Sequence, residues 1–303
     1  MVFSPDGQRL AAVESNGAAR LWDTEGKDLG LPQGHQGQVK SVAFSQDGQL
    51  LSATTTNDGI VRLWNDKGKP PIKLSGYQGS VSSVAIDPDG QHLAVGDSKG
   101  VWLGDTKGKK QLQLQEYRGE TITSVVFSPD GQHLAVGGTS GMKDPISVWL
   151  GATTGQPLVK LPADDVNSMV FSRDSQRLVT GKMDGTIQFW NTTKDRQLDP
   201  LRGDQGAVMS VAFSPDGQRL AIVGTDGTTR LWSIKGQEIV KLQGHQGSVS
   251  SMAFSPKSQL LATNDSTDVR LYQIGRGLDE LLAMNCDWVR EYLNNPSAQL
   301  PAL

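Results

Sequence analysis

The string Phe3-Ser4-Pro5-Asp6-Gly7-Gln8 stands near the start of the chain and returns six more times with small changes. Its first residue, Phe or Ile, occupies positions 3, 44, 86, 127, 171, 213 and 254. These positions are separated by 41, 42, 41, 44, 42 and 41 residues. Seven copies at so regular a spacing indicate an internal repeat, and a repeat of this length decides the fold before any local element is considered.

Each repeat has the pattern of four short β-strands. In Ser-Val-Ala-Phe at 41–44, Val42 and Phe44 lie on one face of a strand. A turn follows the first strand, and where it reads Ser-Pro-Asp-Gly, at 4–7, 128–131 and 214–217, it suits proline, aspartate and glycine at the positions where they occur. Later strands are expected at Leu220 to Val223, at Arg-Leu-Trp 230–232 and at Ile239 to Leu242. Four such antiparallel strands are typical of one blade of a β-propeller.

Two further pairs of residues mark the repeats. Gly-His precedes the first strand at Gly34-His35 and Gly244-His245, and Trp-Asp closes the third strand at Trp22-Asp23. With these marks the repeats resemble the WD-repeat (WD40) β-propeller family over residues 1 to about 274. The residues of the repeated Phe-Ser-Pro-Asp-Gly-Gln string are most similar to those in the regulatory WD-repeat proteins of bacteria, cyanobacteria in particular. The resemblance implies an all-β fold, a seven-bladed propeller of four-stranded antiparallel blades.

The family links a His, a Ser or Thr, an Asp and a Trp by buried hydrogen bonds within one blade. The second repeat alone has all four residues at matching positions, namely His35, Thr54, Asp58 and Trp64. Read without the family, a His-Thr-Asp set could suggest a catalytic triad. The resemblance implies a structural tetrad instead, and repeat 2 is therefore expected among the best-ordered blades.

Three other repeats keep the set in part. The fifth retains Thr180, Asp184 and Trp190, with Asp164 or Asp165 in the histidine region. In the sixth, Trp232 remains but Ile222 takes the Ser/Thr position. The seventh has His245 and Thr263, its aspartates are shifted, and Tyr272 replaces the tryptophan. The third repeat carries Trp102 two places early, which keeps it on the same face of the strand and predicts that it still packs inside.

The two ends of the chain depart from the repeat. Met1 falls inside the expected first strand of blade one, so the outer strand that would complete the last blade is missing. The sequence therefore predicts a last blade with three strands, or one completed by the tail. A truncated start of a longer protein is the alternative. From Gly277 to Asn295 the apolar spacing becomes helical, beginning with Leu278, Leu281 and Leu282. We therefore expect a propeller at 1–274 and a short C-terminal α-helix within a tail at 275–303.

Composition excludes several functions. A net charge of −3 and a pI near 5.8 offer no basic surface for nucleic acid and no polybasic contact for a membrane. No apolar run is long enough to span a bilayer. The single cysteine, Cys286, rules out an internal disulfide framework and favours the cytoplasm. Four histidines and one cysteine are too few and scattered for a metal cluster, so no metal and no cofactor are expected.

The family binds partners with one loop-rich face, and the resemblance implies which positions lie there. Two positions flank the first apolar residue of each first strand, and a third precedes the hairpin aspartate. In this sequence they are Gln38, Lys40, Asn57, Ser80, Ser82, Thr121, Thr123, Asp165, Asn167, Met183, Ala207, Met209, Thr225, Ser248 and Ser250. Tyr77, Tyr117 and Arg118 stand nearby as the large groups, and tyrosine and arginine are enriched at binding hot spots.

These observations predict a non-catalytic protein–protein interaction scaffold, a monomeric propeller with protein partners. The main alternative is a sensor or regulatory fragment of a larger bacterial signalling protein, in which a nucleotide-switch, kinase or protease domain is fused to WD repeats. A propeller hydrolase is a third reading. It would require His35 or Asp58 to act in catalysis without being needed for folding.

Overall fold

The computed structural model describes residues 1–13, 19–23, 27–29, 39–44, 50–54, 61–64, 72–75, 77, 80–107, 111–114, 121–139, 147–153, 159–192, 197–202, 206–242, 245, 247–256, 260–265 and 269–274. Within these residues, all helix or strand structure is β and forms seven antiparallel sheets, numbered here in chain order. The predicted C-terminal helix at 275–303 lies outside the described residues.

Sheets 1 to 4 occupy the first half of the chain. Sheet 1 contains β1 (Val2–Phe3), β2 (Arg9–Val13) and β3 (Ala19–Asp23). Sheet 2 contains β4 (Val39–Phe44), β5 (Leu50–Thr54), β6 (Val61–Trp64) and β7 (Ile72–Leu74). Sheet 3 contains β8 (Val81–Ile86), β9 (His92–Asp97), β10 (Gly100–Asp105) and β11 (Gln111–Leu114). Sheet 4 contains β12 (Thr121–Phe127), β13 (His133–Thr139), β14 (Ser147–Ala152) and β15 (Val159–Leu161).

Sheets 5 to 7 repeat the same order. Sheet 5 contains β16 (Val166–Phe171), β17 (Arg177–Lys182), β18 (Thr186–Asn191) and β19 (Gln197–Arg202). Sheet 6 contains β20 (Val208–Phe213), β21 (Arg219–Gly224), β22 (Thr229–Ser233) and β23 (Glu238–Leu242). Sheet 7 contains β24 (Ser251–Phe254), β25 (Leu260–Asn264) and β26 (Val269–Gln273). The strands expected from the sequence at 220–223, 230–232 and 239–242 are confirmed within β21, β22 and β23.

The turn between the first two strands is held by its own side chains in sheets 1, 3, 4, 5 and 6. In sheet 6 the Ser214 hydroxyl donates to the Asp216 carboxylate and accepts the Arg219 N–H at 2.9 Å. The same carboxylate accepts the Gln218 N–H at 2.9 Å. Gly217 adopts a φ of 67°, a conformation that glycine reaches without steric cost. The repeated Ser-Pro-Asp-Gly string thus encodes a tight hairpin that sets the register of the two strands.

The core lies between neighbouring sheets. One cluster joins sheet 2 to sheet 3 through buried side chains of both, including Val61, Leu63, Leu74, Val81, Val84 and Leu93. Similar clusters lie between sheets 5 and 6 and between sheets 6 and 7. Neighbouring sheets approach each other closely. A Cβ added at Gly96 of sheet 3 would overlap the Ile122 side chain of sheet 4, and one at Gly181 of sheet 5 would overlap Val208 of sheet 6. Sheet-to-sheet packing therefore requires glycine at these two positions.

The first strands of the sheets contact one another in sequence. Contacts join β4 to β8, β8 to β12, β12 to β16, β16 to β20 and β20 to β24. Strand β1 contacts both β24 and β4, so the first sheet lies between the seventh and the second. The arrangement of many small antiparallel sheets around neighbouring first strands is that of a propeller-like protein.

The first and seventh sheets each contain three described strands. Beside β3 the chain begins a fourth: Trp22 and Asp28 form an isolated antiparallel bridge, and the Leu29 N–H donates to the Leu21 carbonyl at 2.9 Å. Sheet 1 therefore has the start of an outer strand at residues 27–29. An incomplete last blade was expected from the sequence, and three strands of sheet 7 are described.

Candidate functional site

The first strand of sheets 2 to 6 carries the same irregularity. The register slips by one residue between Val39 and Ser41, and it slips again at the equivalent step in sheets 3, 4, 5 and 6. Such a slip is a β-bulge, which leaves one residue unpaired and re-aims its side chain. The residues at the bulges are Lys40, Ser82, Thr123, Asn167 and Met209. All five are positions that the sequence assigned to the binding face.

Two of these bulge residues connect one sheet to the next. The Ser82 hydroxyl donates to the Ile122 carbonyl of sheet 4 and, at 3.1 Å, to the Gly96 carbonyl of its own sheet. The Asn167 amide donates to the Val208 carbonyl of sheet 6 at 3.0 Å. The accepting carbonyl in each case belongs to the residue that begins the next bulge. Ser82 and Asn167 therefore hold neighbouring sheets together at this end of their first strands.

The largest described apolar group at this end of sheet 5 is Met183, whose residue surface is 53% exposed. Its N–H donates to the Asp165 carbonyl at 3.0 Å, and Asp165 has a φ of 56°. Asn167, two residues further, lies with its amide nitrogen 3.6 Å from the Met209 sulfur of sheet 6. We call Asp165, Asn167, Met183 and Met209 the methionine patch. It presents apolar and polar groups together across two sheets.

Tyr77, expected from the sequence as a partner-binding residue, belongs to the core instead. The residue is 8% exposed, and its ring meets the Trp102 ring edge-to-face with centroids 6.3 Å apart. Burial, and then the nearby Asp97 carboxylate, raise the pKa of its hydroxyl above the usual range. The Tyr77 ring fills the space between sheets 2 and 3, and this packing cannot be read from the linear sequence.

For four other predicted binding residues the structure describes no side chain. Tyr117, Arg118 and Asn57 lie outside the described residues, and of Lys40 the structure describes the backbone in β4. The same holds for the tetrad of repeat 2. His35 and Asp58 lie outside the described residues, while Thr54 and Trp64 are described as backbone of β5 and β6. The tetrad and these four binding positions therefore stay predictions.

A buried polar network of the tetrad kind is present in sheet 7. The His245 Nδ1 lies 3.0 Å from the Asp265 carboxylate, and its Nε2 lies 2.7 Å from the Thr263 hydroxyl. A carboxylate at Nδ1 favours the proton there, so Nε2 accepts from the hydroxyl. The side chains of His245 and Asp265 are 1% and 5% exposed. The sequence identifies His245, Thr263 and a shift of the aspartates in this repeat, but not Asp265 itself, which directly follows β25.

The tryptophans of the third strands differ in their hydrogen bonds. Trp190 donates from Nε1 to the Thr180 hydroxyl at 3.0 Å. Trp102, displaced by two positions, is buried as expected and donates to the Asp97 carboxylate at 2.9 Å. The Nε1 of Trp232 is buried and has no hydrogen-bond partner among the described residues. Its potential partner position holds Ile222, which has no acceptor.

Three metal-ligating side chains meet in the hairpin between β8 and β9. Asp87, Asp89 and His92 place one potential ligand atom each within 4.8 Å of the others. Burial, followed by a hydrogen bond with Asp89, raises the pKa of Asp87. That same hydrogen bond lowers the pKa of Asp89. The sequence predicts no metal site, since its carboxylates are spread at one or two per repeat; this hairpin places two of them beside an imidazole.

The described fold defines a repeat protein built from small antiparallel sheets, and the first strands of sheets 2 to 6 carry the same bulge. The chain belongs to the WD domain, G-beta repeat family (WD40), which matches at residues 26–65, 68–103, 109–142, 155–191, 196–233 and 236–273. This family is a protein-interaction scaffold type of domain. A search of curated proteins found no match to the chain. None of the described residues forms a helix long and apolar enough to cross a bilayer.

Proposed function

We propose that this protein is a non-catalytic protein–protein interaction scaffold formed by a closed, seven-bladed β-propeller. The observation that carries the proposal is the bulge repeated in sheets 2 to 6, which presents an equivalent residue from successive sheets at one end of the first strands. Contacts of β1 with both β24 and β4 support closure of the ring. A rigid ring of this kind can offer several side chains to a partner without the entropy cost of ordering a loop.

The methionine patch is the part of this face that we assign to partner binding. Met183 is exposed and Met209 is half-buried against the cluster between sheets 6 and 7. Methionine is flexible and polarisable, so it adapts to differently shaped apolar surfaces. Asp165 and Asn167 are exposed beside it and supply polar groups for the rim. This composition suits a partner that presents an apolar side chain surrounded by hydrogen-bonding groups.

The proposal excludes catalysis by the network that most resembles a triad. A nucleophilic hydroxyl must be reachable by its substrate. Thr263 is 0% exposed and is engaged by His245 in the interior of sheet 7. The set therefore supports folding. We propose in addition that the protein is a cytoplasmic monomer with protein partners, on the basis of its single cysteine and near-neutral charge of −3.

The test compares two exposed apolar residues on different parts of the molecule. Met183→Asp places a charge in the methionine patch, whereas Val159→Asp places one on β15, where Val159 is 48% exposed. The immobilised full chain and both variants are incubated with extract of the native cell, and bound proteins are quantified by mass spectrometry. We expect a partner retained by the parent and by Val159→Asp but lost by Met183→Asp.

Equal retention by both variants would show that the methionine patch is not the binding surface. Loss in both variants would point to a general effect of added charge and would also contradict the assignment. Circular dichroism and thermal melting of each variant control for misfolding. Because both substitutions are on exposed side chains, we expect melting temperatures close to that of the parent.

A further inference from the structure

The hairpin of sheet 3 differs chemically from the equivalent hairpins. In sheets 1, 4, 5 and 6 a serine donates its hydroxyl proton to the aspartate two residues later. It also accepts the N–H of the residue five positions later, as Ser128 accepts that of His133 at 2.9 Å. In sheet 3 the serine position holds Asp87, which accepts the His92 N–H at 2.9 Å. The backbone role of serine is retained, but a hydroxyl has been replaced by a carboxyl group.

This replacement creates a local excess of negative charge. Two carboxyl groups and an imidazole, each with one potential ligand atom within 4.8 Å of the others, now meet in this hairpin. The Asp87 side chain is only 10% exposed, and burial increases the cost of leaving its charge uncompensated. The imidazole of His92 lies directly against it, with Nδ1 2.8 Å from Asp87 Oδ2 and 3.7 Å from Asp89 Oδ1.

We propose that Asp87, Asp89 and His92 bind one divalent transition-metal ion, best matched by Zn²⁺. Zn²⁺ bonds His nitrogen and Asp oxygen at about 2.0–2.2 Å, so tetrahedral ligands lie roughly 3.3–3.6 Å apart. The two distances from His92 Nδ1, 2.8 and 3.7 Å, bracket this range. Small rotations of the exposed Asp89 and His92 side chains would bring all three ligands to it, and water completes the coordination.

The surroundings leave room for the ion and its water. The cluster opens into a groove between sheets 3 and 4 whose other walls include Gly104, Asp105, Gly131 and Thr153. Asp89 and His92 face it with side chains 52% and 62% exposed. A ligand set of one imidazole and two carboxylates favours Zn²⁺ or a neighbouring transition metal over Mg²⁺ and Ca²⁺, which prefer oxygen alone.

Sheet 4 contains a natural comparison within the same chain. Its hairpin has Ser128, Asp130 and His133 at the positions of Asp87, Asp89 and His92. The His133 Nδ1 lies 4.0 Å from the Asp130 carboxylate. Two of the three ligands are therefore repeated, and the serine removes the third. If Asp87 creates the site, sheet 3 binds the ion and sheet 4 does not.

The experiment is isothermal titration of the full chain with Zn²⁺ at neutral pH, compared with Asp87→Ser, His92→Ala and His133→Ala. Asp87→Ser gives sheet 3 the residue that the equivalent hairpins already contain, so it should fold normally, which circular dichroism checks. We expect about one equivalent of Zn²⁺ in the parent and in His133→Ala. In Asp87→Ser and His92→Ala the affinity should fall by at least about tenfold.

A parallel titration with Mg²⁺ is expected to show no binding at the same concentrations, and Co²⁺ should give visible absorption bands that are lost in His92→Ala. Unchanged Zn²⁺ affinity in folded Asp87→Ser would overturn the proposal. So would the absence of Zn²⁺ binding by the parent. Equal losses in His92→Ala and His133→Ala would assign the ion to surface imidazoles in general and overturn it as well.

Discussion

Sheets 5 and 6 are neighbours with the same strand order, but the buried tryptophans of their third strands differ in hydrogen bonding. In sheet 5, Trp190 is fully buried and its Nε1–H is satisfied by Thr180. In sheet 6, Trp232 is buried, its Nε1–H has no partner in the described part of the chain, and Ile222 fills the position of the threonine. An apolar side chain can thus keep the shape of the core when the hydrogen bond is lost. The comparison separates the contribution of packing from that of the buried polar pair.

The largest expected effect is the removal of either tryptophan. Trp190→Ala should destabilise the protein by about 3–5 kcal/mol, because it opens a large cavity and leaves the Thr180 hydroxyl without its partner. Trp232→Ala opens a similar cavity but also removes a donor that was already unpaired, so its cost should be smaller. Urea unfolding followed by circular dichroism measures both. A larger loss for Trp232→Ala than for Trp190→Ala would contradict the comparison.

A smaller loss of folding stability is expected when the Thr180 hydroxyl alone is removed. Thr180→Val keeps the shape of the side chain but strands the Trp190 Nε1–H, and it should cost about 1–3 kcal/mol. The matched control is Ile222→Val in sheet 6, which removes one buried methylene without touching a hydrogen bond and should cost about 0.5–1.5 kcal/mol. The same unfolding curves give both values. A neutral Thr180→Val would mean that the pair adds nothing beyond packing.

The hairpin turns of sheets 5 and 6 should make the stability of the protein depend on pH in the same way. A hydrogen bond from Ser172 lowers the pKa of Asp174. For Asp216, burial acts in the opposite direction, but hydrogen bonds from Ser214 and Gln218 still leave its pKa lowered. A carboxyl whose pKa is lower in the native protein stabilises it above the unfolded pKa of about 3.9, and this stabilisation is lost as pH falls through the native pKa.

Asp174→Asn and Asp216→Asn should therefore each reduce the loss of stability between about pH 5 and pH 2. Both carboxylates are exposed, so solvent screening keeps the effect modest. Melting temperatures measured across this range test the expectation, with Asp→Asn at neutral pH as the reference. An effect in one sheet but not in the other would show that the turns, like the tryptophan pairs, have diverged.

The smallest effect is expected for Trp232→Phe. Phenylalanine removes the unpaired Nε1–H together with part of the ring, so the gain from the first offsets the loss from the second, and the net change should stay below about 1 kcal/mol. Trp190→Phe serves as the control and should cost more, because it breaks the bond to Thr180. Thermal unfolding of the two variants side by side measures the difference. Equal costs would indicate that Trp232 Nε1 has a partner after all, such as water.

Local patterns in the sequence were enough to predict the strands. The Phe-Ser-Pro-Asp-Gly-Gln string places a hairpin at each copy because its turn residues act within a few positions of one another. Alternating apolar residues then identify strands such as β21 and β22, and the position of Trp102 predicts its burial. The WD-repeat family follows from the same periodic marks, which agree with the match over six repeat units.

The candidate site was less accessible from the sequence. Tyr77 resembles an interface residue by type, but its partner in the core, Trp102, lies further along the chain in β10. Asp265 completes the network around His245 from a position that the family pattern does not specify. The bulges that aim Ser82 and Asn167 at the neighbouring sheet depend on how two first strands meet. Each of these contacts joins residues that are far apart in the chain.

By itself, then, the sequence determined the repeat, its period, the hairpin turns and the family, because these depend on interactions between residues close together in the chain. Only the tertiary structure decided which side chains the next sheet buries, as it does Tyr77, and which it leaves exposed, as it does Met183. It also placed the Asp87, Asp89 and His92 side chains in a groove whose other wall comes from sheet 4. Burial and the field around a charge are set by neighbours in space, and those neighbours come from other strands and other repeats.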